Sequence, residues 1–123
     1  MNGPDLGPRP TLAPGMSTDA SRRAPDVRDV LAAADRIAPH VSRTPLVRST
    51  WLSDLTGGEV WLKLETMQPT GSFKIRGAMN AIARLKETRP DVVSVTTASA
   101  GNHGIALAKA AAEFGLTVRV HVP

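Results

Sequence analysis

The run Val92-Val93-Ser94-Val95-Thr96-Thr97-Ala98-Ser99-Ala100-Gly101-Asn102-His103-Gly104 passes from a β-branched strand pattern into a small, polar turn. Beyond it, Ile105, Leu107, Ala108, Ala110, Ala111, Ala112 and Phe114 make a segment apolar on most faces of a helix. Gly115 caps that helix, and Thr117-Val118-Arg119-Val120-His121-Val122 alternates as the next strand. Strand, polar turn, helix, strand is a βαβ unit, with the right-handed crossover such units adopt. The near-continuous Val92, Val93 and Val95 predict a parallel strand buried on both faces. The expected class is α/β, with open, mostly parallel sheets flanked by helices.

Upstream lies a second turn-to-helix junction, Thr70-Gly71-Ser72-Phe73-Lys74-Ile75-Arg76-Gly77-Ala78. It puts a lysine in the first turn of a helix whose Ile75, Ala78, Met79, Ile82 and Leu85 share one face. A first-turn lysine meets the positive end of the macrodipole, which disfavours its ammonium form by roughly 0.3–1 kcal/mol. A neutral amine is what nucleophilic lysine chemistry requires. The alternative reading is a solvated lysine followed by Arg76. Arg84, Lys86, Glu87 and Arg89 close the helix before Pro90.

Further back, Val60, Leu62 and Leu64 alternate with Trp61, Lys63 and Glu65, as in a half-buried strand. Lys63 is the nearest rival to Lys74, and pairing with Glu65 or a neighbour accounts for it. Ser49 or Thr50 caps a brief helix through Trp51, Leu52 and Leu55, stopped at Gly57-Gly58, and Thr44-Pro45-Leu46-Val47 is extended. Asp26, with Asp29 three residues on, opens a helix striped by Val27, Val30, Leu31, Ala34 and Ile37 and ended by Pro39. Residues 1–26 are rich in proline and glycine and too poor in apolar residues to offset ordering entropy, so a disordered tail is expected.

Composition removes several classes of function. Aromatic residues are only 3% of the chain, so the core must be aliphatic and alanine-rich, which suits strands under closely packed helices. A net charge of +4 without a basic run or interleaved aromatics argues against nucleic acid as a partner. Without cysteine there is neither a disulfide scaffold nor a thiolate metal site, and His40, His103 and His121 have no ligand spacing, so no metal is expected. No apolar run approaches the ~20 residues of a membrane span or forms a signal-peptide core, so the expectation is a cytoplasmic protein with no membrane partner.

The turn Ser99–Gly104 sits where open α/β sheets bind ligands, outside the carboxyl end of a strand. Gly101 and Gly104 allow close approach, free N–H groups attract an anion, and Asn102 and Ser99 add polar side chains. The alternative is an ordinary turn capped by Asn102 or Ser99. The turn is neither G-x-G-x-x-G nor a P-loop, and there is no G-x-S-x-G elbow.

S-F-K-I-R-G-A from Ser72, followed by T-A-S-A-G-N-H-G from Thr97, resembles the fold type II pyridoxal-phosphate enzymes, in particular the threonine/serine dehydratases (ammonia-lyases). R-T-P-L-V from Arg43, L-K-L-E from Leu62 and the closing V-x-V-P from Val120 also match, so the resemblance covers residues 27–123. It implies that the chain is the N-terminal portion of a two-domain enzyme, a fragment of a longer protein. Residues 27–90 would begin the larger, cofactor-binding domain and 91–123 the smaller one, truncated. It further implies that Lys74 is the catalytic Schiff-base lysine for pyridoxal 5'-phosphate, that Phe73 packs beside the cofactor ring and that Asn102 hydrogen-bonds its 3′-oxygen. Ser99, Ala100, Gly101, Asn102 and His103 would cradle the carboxylate of an amino-acid substrate. The implied reaction takes L-threonine or L-serine to a 2-oxo acid and ammonia, in a homo-oligomer when full length.

Within the family, Ile75 in place of Asp and His103 in place of Thr favour the dehydratases over cysteine-synthase-like members. Ala100 stands where serine racemases carry a proton-moving Ser, which disfavours racemisation. A hydroxyectoine-utilisation dehydratase would share every motif. The family's glycine-rich phosphate loop and its partner for the pyridine nitrogen would lie downstream of Pro123. A fragment that is inactive alone is therefore expected, and a remnant that binds only an anion or a partner is the non-enzyme alternative.

Overall fold

The computed structural model describes residues 24–123, so the expectation for the tail falls almost wholly outside the described residues. Helix α1 (Val27–Ile37) opens with Asp26 accepting from the N–H groups of Arg28 and Asp29, while the Asp29 side chain accepts from the Asp26 N–H. This is the reciprocal cap that the Asp26–Asp29 spacing predicts. Strand β1 (Leu46–Arg48) leads to helix α2 (Thr50–Thr56), capped by Ser49 and ended by Gly57 at φ 70°. Strand β2 (Trp61–Lys63) is followed by a 3-10 turn over Glu65–Met67. Then come helix α3 (Lys74–Thr88), strand β3 (Ser94–Ala98), helix α4 (Asn102–Glu113) and strand β4 (Thr117–His121).

The strands form two separate pairs. β3 and β4 are parallel, in register from Ser94 opposite Thr117 to Ala98 opposite His121, with α4 as the crossover. β1 and β2 are antiparallel, Leu46 opposite Lys63 and Arg48 opposite Trp61. The α/β class is as expected, but the sequence did not announce the antiparallel pair. The half-buried character expected of residues 59–65 is kept at Val60, Leu64 and Glu65, but all three residues of β2 between them are exposed. The valine-rich strand also differs. It starts at Ser94 rather than Val92 and alternates exposed and half-buried residues, because α4 covers one face only.

The core lies between α3 and α4. Ile75 and Met79 are fully buried and pack with Ala78, Ile82, Ala106, Leu107, Ala110, Ala111 and Leu116. Alanine on α4 lets that helix approach α3 closely, as the composition required. This core draws on residues from both sides of Pro90. α1 packs on α3 by its polar side: Arg36 donates to Asn80 Oδ1 at 2.8 Å and to Glu87 Oε1 at 2.9 Å, beside buried Ile37. Apart from Ile37, its apolar stripe therefore faces outward, with Val27 69% exposed. His40, which pairs with Glu113 and lies 5.2 Å from the Phe114 ring, ties the end of α1 to the end of α4.

Candidate active site

Lys74 is the first residue of α3, the position its sequence predicts. The chain reaches it through a turn in which the Gly71 N–H donates to Gln68 O at 2.8 Å. Gly71 adopts φ 68°, a left-handed conformation that a side chain would strain. Ile75 plugs the core directly after the lysine, which leaves the Lys74 side chain on the exposed side of the helix start. Among the described residues no carboxylate pairs with it. Its Nζ lies 5.1 Å from the centre of the Phe73 ring, itself 59% exposed.

The surroundings of this turn are polar and ordered by one carboxylate. Arg76 grips Glu65 with both arms, Nε to Oε2 at 2.7 Å and Nη2 to Oε1 at 2.8 Å. The Thr44 hydroxyl donates to the same Oε1 at 2.5 Å, and Gln68 Nε2 adds a longer contact at 3.3 Å to Oε2. The Arg76 guanidinium holds the Glu65 carboxyl down to about 2; partial burial opposes this, and the Thr44 and Gln68 donors assist it. Glu65 in turn raises Arg76. Gln68, buried, accepts from the Ser42 N–H at 3.0 Å and donates to Ser42 O at 2.8 Å. Sequence reasoning passed over this cluster and expected Lys63 to pair with Glu65 or a neighbour. Lys63 instead donates to Thr44 O at 2.5 Å, because Glu65 is already occupied by Arg76. The available signal was E-x-x-Q, from Glu65 to Gln68, immediately before the turn.

The second junction is built differently. α4 starts after Gly101 with no side chain capping from that position. Ser99 Oγ supplies the acceptor instead, taking the Gly101 N–H at 3.2 Å and the Gly104 N–H at 3.1 Å. Of the two alternatives read from the sequence, Ser99 is therefore the bonded one and Asn102 is not. The N–H groups of Ala100, Asn102 and His103 have no acceptor among the described residues, and all three residues are exposed. Gly104 is buried where a Cβ would meet Val120 Cγ1 at 3.1 Å and the Ser99 carbonyl oxygen at 3.4 Å, so only glycine lets α4 sit on the sheet here. A shallow apolar depression of about 330 Å³ is lined by Ser99, Ala100, Gly101 and Gly104 with Ile105 and Val120; Lys74 and Phe73 do not line it.

A family model described as pyridoxal-phosphate dependent enzyme matches residues 37–123. The chain belongs to that family. Relatives include a beta-hydroxyaspartate dehydratase of Paracoccus denitrificans, 41% identical over 99 residues, covering 80% of this chain and 31% of its own length. An L-threonine ammonia-lyase of Thermotoga maritima is 45% identical over 97 residues, covering 79% of this chain and 24% of its own. Among solved structures, a pyridoxal 5'-phosphate-dependent aspartate racemase superposes with a TM-score of 0.75 at 42% identity, covering 79% of this chain and 31% of that one. The chain thus spans about a quarter to a third of the length of these relatives.

The family's cofactor is pyridoxal phosphate, and the residues present fit it. Lys74 offers an exposed amine without a carboxylate partner beside the open face of an aromatic ring. The buried hydroxyls of Thr70 and Ser72 have no hydrogen-bond partner, which leaves polar capacity unused at the lysine turn. The α4 turn supplies free amides for an anion.

Proposed function

We propose that the full-length protein is a pyridoxal-phosphate-dependent dehydratase that takes L-threonine or L-serine to the corresponding 2-oxo acid and ammonia. The observation that carries this is Lys74, a carboxylate-free amine fixed at the first position of α3 in a chain of this family. Bound there, the cofactor supplies the electron sink for the charge left when the substrate α-proton departs. Lys74 Nζ holds the cofactor and, once released, takes that proton and returns it in a later step. Phe73 flanks the cofactor ring, and the Asn102 amide donates to its phenolic oxygen. The turn of Ser99, Ala100, Gly101, Asn102 and His103 holds the substrate carboxylate, through the N–H groups of Ala100, Asn102 and His103 that are left without an acceptor among the described residues. Loss of the β-hydroxyl releases one water and hydrolysis at Cα consumes one, leaving a 2-oxo acid and ammonia with no net change in water.

Two of the relatives named above act on β-hydroxy amino acids by their names, a beta-hydroxyaspartate dehydratase and an L-threonine ammonia-lyase, which supports the substrate class. Racemisation is the second reading, favoured by the aspartate racemase likeness but opposed by Ala100, whose methyl cannot carry a proton. The proposal extends to a cytoplasmic homo-oligomer with residues 27–90 in the larger domain and 91–123 opening the smaller. In the described residues no helix is long and apolar enough to cross a membrane.

The test is release of 2-oxo acid by the full-length protein with pyridoxal phosphate, offered L-threonine, L-serine or 3-hydroxyaspartate. Turnover of threonine or serine, absent without cofactor, is expected. No 2-oxo acid from any of the three, or inversion of Cα without it, would overturn the proposal.

A further inference from the structure

We infer that Glu65, Arg76 and Gln68 are positioning residues for Lys74, a role that rests on the lysine reading above. Lys74 is fixed from both directions along the chain, and both ties lead to the same carboxylate. On its N-terminal side, Gln68 anchors the turn: its carbonyl accepts the Gly71 N–H, its side chain clamps both backbone groups of Ser42, and its amide touches Glu65. On its C-terminal side, Arg76 in the first turn of α3 binds Glu65 through both oxygens and reaches Ser42 O at 3.2 Å. Thr44 completes the ring through Glu65 Oε1. Three separate stretches, at 42–44, 65–68 and 71–76, are thus cross-linked around one lysine whose own amine enters none of these bonds.

The arrangement is costly unless it does something local. Arg76 lies in the first turn of α3, where a cation is disfavoured, and α3 carries no acid there to offset it. The acid comes instead from Glu65 outside the helix, through a bidentate pair that fixes direction as well as charge. Glu65 and Arg76 are part-buried, with side chains 18% and 34% exposed, so the pair is less screened than a surface one. The outcome is a rigid backbone under Lys74 and a freely moving amine, which suits a group that must attack and then shuttle a proton.

The experiment compares Lys74 with other lysines of the same molecule. The full-length protein and its Glu65→Gln and Gln68→Met variants are treated with pyridoxal phosphate, reduced with borohydride at timed intervals, and mapped by peptide. The rate at Lys74 is divided by the rate at Lys109, which lies far along α4. Wild type is expected to label Lys74 preferentially. In both variants the ratio falls about ten- to a hundredfold while Lys109 is unchanged, the scale expected of a misplaced reacting group. Far-UV circular dichroism and the unfolding midpoint are measured alongside. Gln68→Met spares the ion pair, so it carries the test where Glu65→Gln fails to fold. An unchanged ratio in a folded variant, or failure of both variants to fold, assigns the cluster to stability alone and overturns the inference. Wild type without preference for Lys74 overturns the cofactor reading itself, a distinct result.

Discussion

At the start of α3 the backbone is held from outside, by the Glu65 carboxylate and the backbone of Ser42, both bound by Arg76 and Gln68. At the start of α4 it is held from within, by the single hydroxyl of Ser99 and the missing side chain of Gly104. The difference matches what each junction presents. α3 presents a long, flexible lysine, and only the backbone beneath it can be made rigid. α4 presents backbone amides, which side-chain clamps would occupy, so the turn is shaped by one acceptor and by glycine, and the N–H groups of Ala100, Asn102 and His103 are left open. The two helix starts are thus specialised by what holds them.

The largest expected effect removes what the first junction presents. Lys74→Ala in the full-length protein lowers 2-oxo acid formation from threonine or serine by about a thousandfold, with the fold retained. Retained turnover would break the comparison, since both junctions would then be mere turns.

Next is the glycine of the second junction. Gly104→Ala forces a methyl against Val120 and the Ser99 carbonyl, both of which belong to the sheet side of α4. A loss of about 1–3 kcal/mol is expected in chemical denaturation. The same substitution at Gly101, where a Cβ meets nothing within 4 Å, should cost far less.

The first junction has a pH signature. The Glu65 carboxyl is held down to about 2 from an ordinary 4.5. A depressed carboxylate adds stability that is fully present above its unfolded value and lost as pH falls through its folded one. The stability advantage of wild type over Glu65→Gln should therefore be flat near neutrality and shrink from about pH 4.5 toward 2. Denaturant titrations at several pH values read it directly; an advantage constant across that window would contradict the pairing. The smallest effect is Ser99→Ala, which deprives two amides of their acceptor and should cost about 1 kcal/mol in the same titrations.

The parts of this molecule that are local in sequence were legible in it. Asp26 with Asp29, Ser49, Gly57 and the α3 start at Lys74 were each readable because caps and turns are made by neighbours. The strand–helix–strand unit from Ser94 to His121 was readable from periodicity. What escaped was non-local. Glu65 meets Arg76 eleven residues on, and Gln68 meets Ser42 across twenty-six, with no pattern of spacing to announce either. Periodicity found the apolar stripe of α1 but could not say that Arg36 would seat the helix by its polar side. It also marked Trp61–Lys63 as a strand without showing that its partner runs antiparallel. Motif chemistry singled out Lys74 and the Ser99–His103 turn as candidates; the cluster of Glu65, Gln68 and Arg76 became visible only in three dimensions.

The proposed dehydratase depends on Lys74 being the lysine that takes the cofactor. Its most direct test is reduction of the pyridoxal-phosphate-treated full-length protein with borohydride, followed by peptide mapping of the modified residue. One dominant label, on Lys74, is expected. A label spread over Lys63, Lys86 and Lys109 with Lys74 unmodified would contradict it.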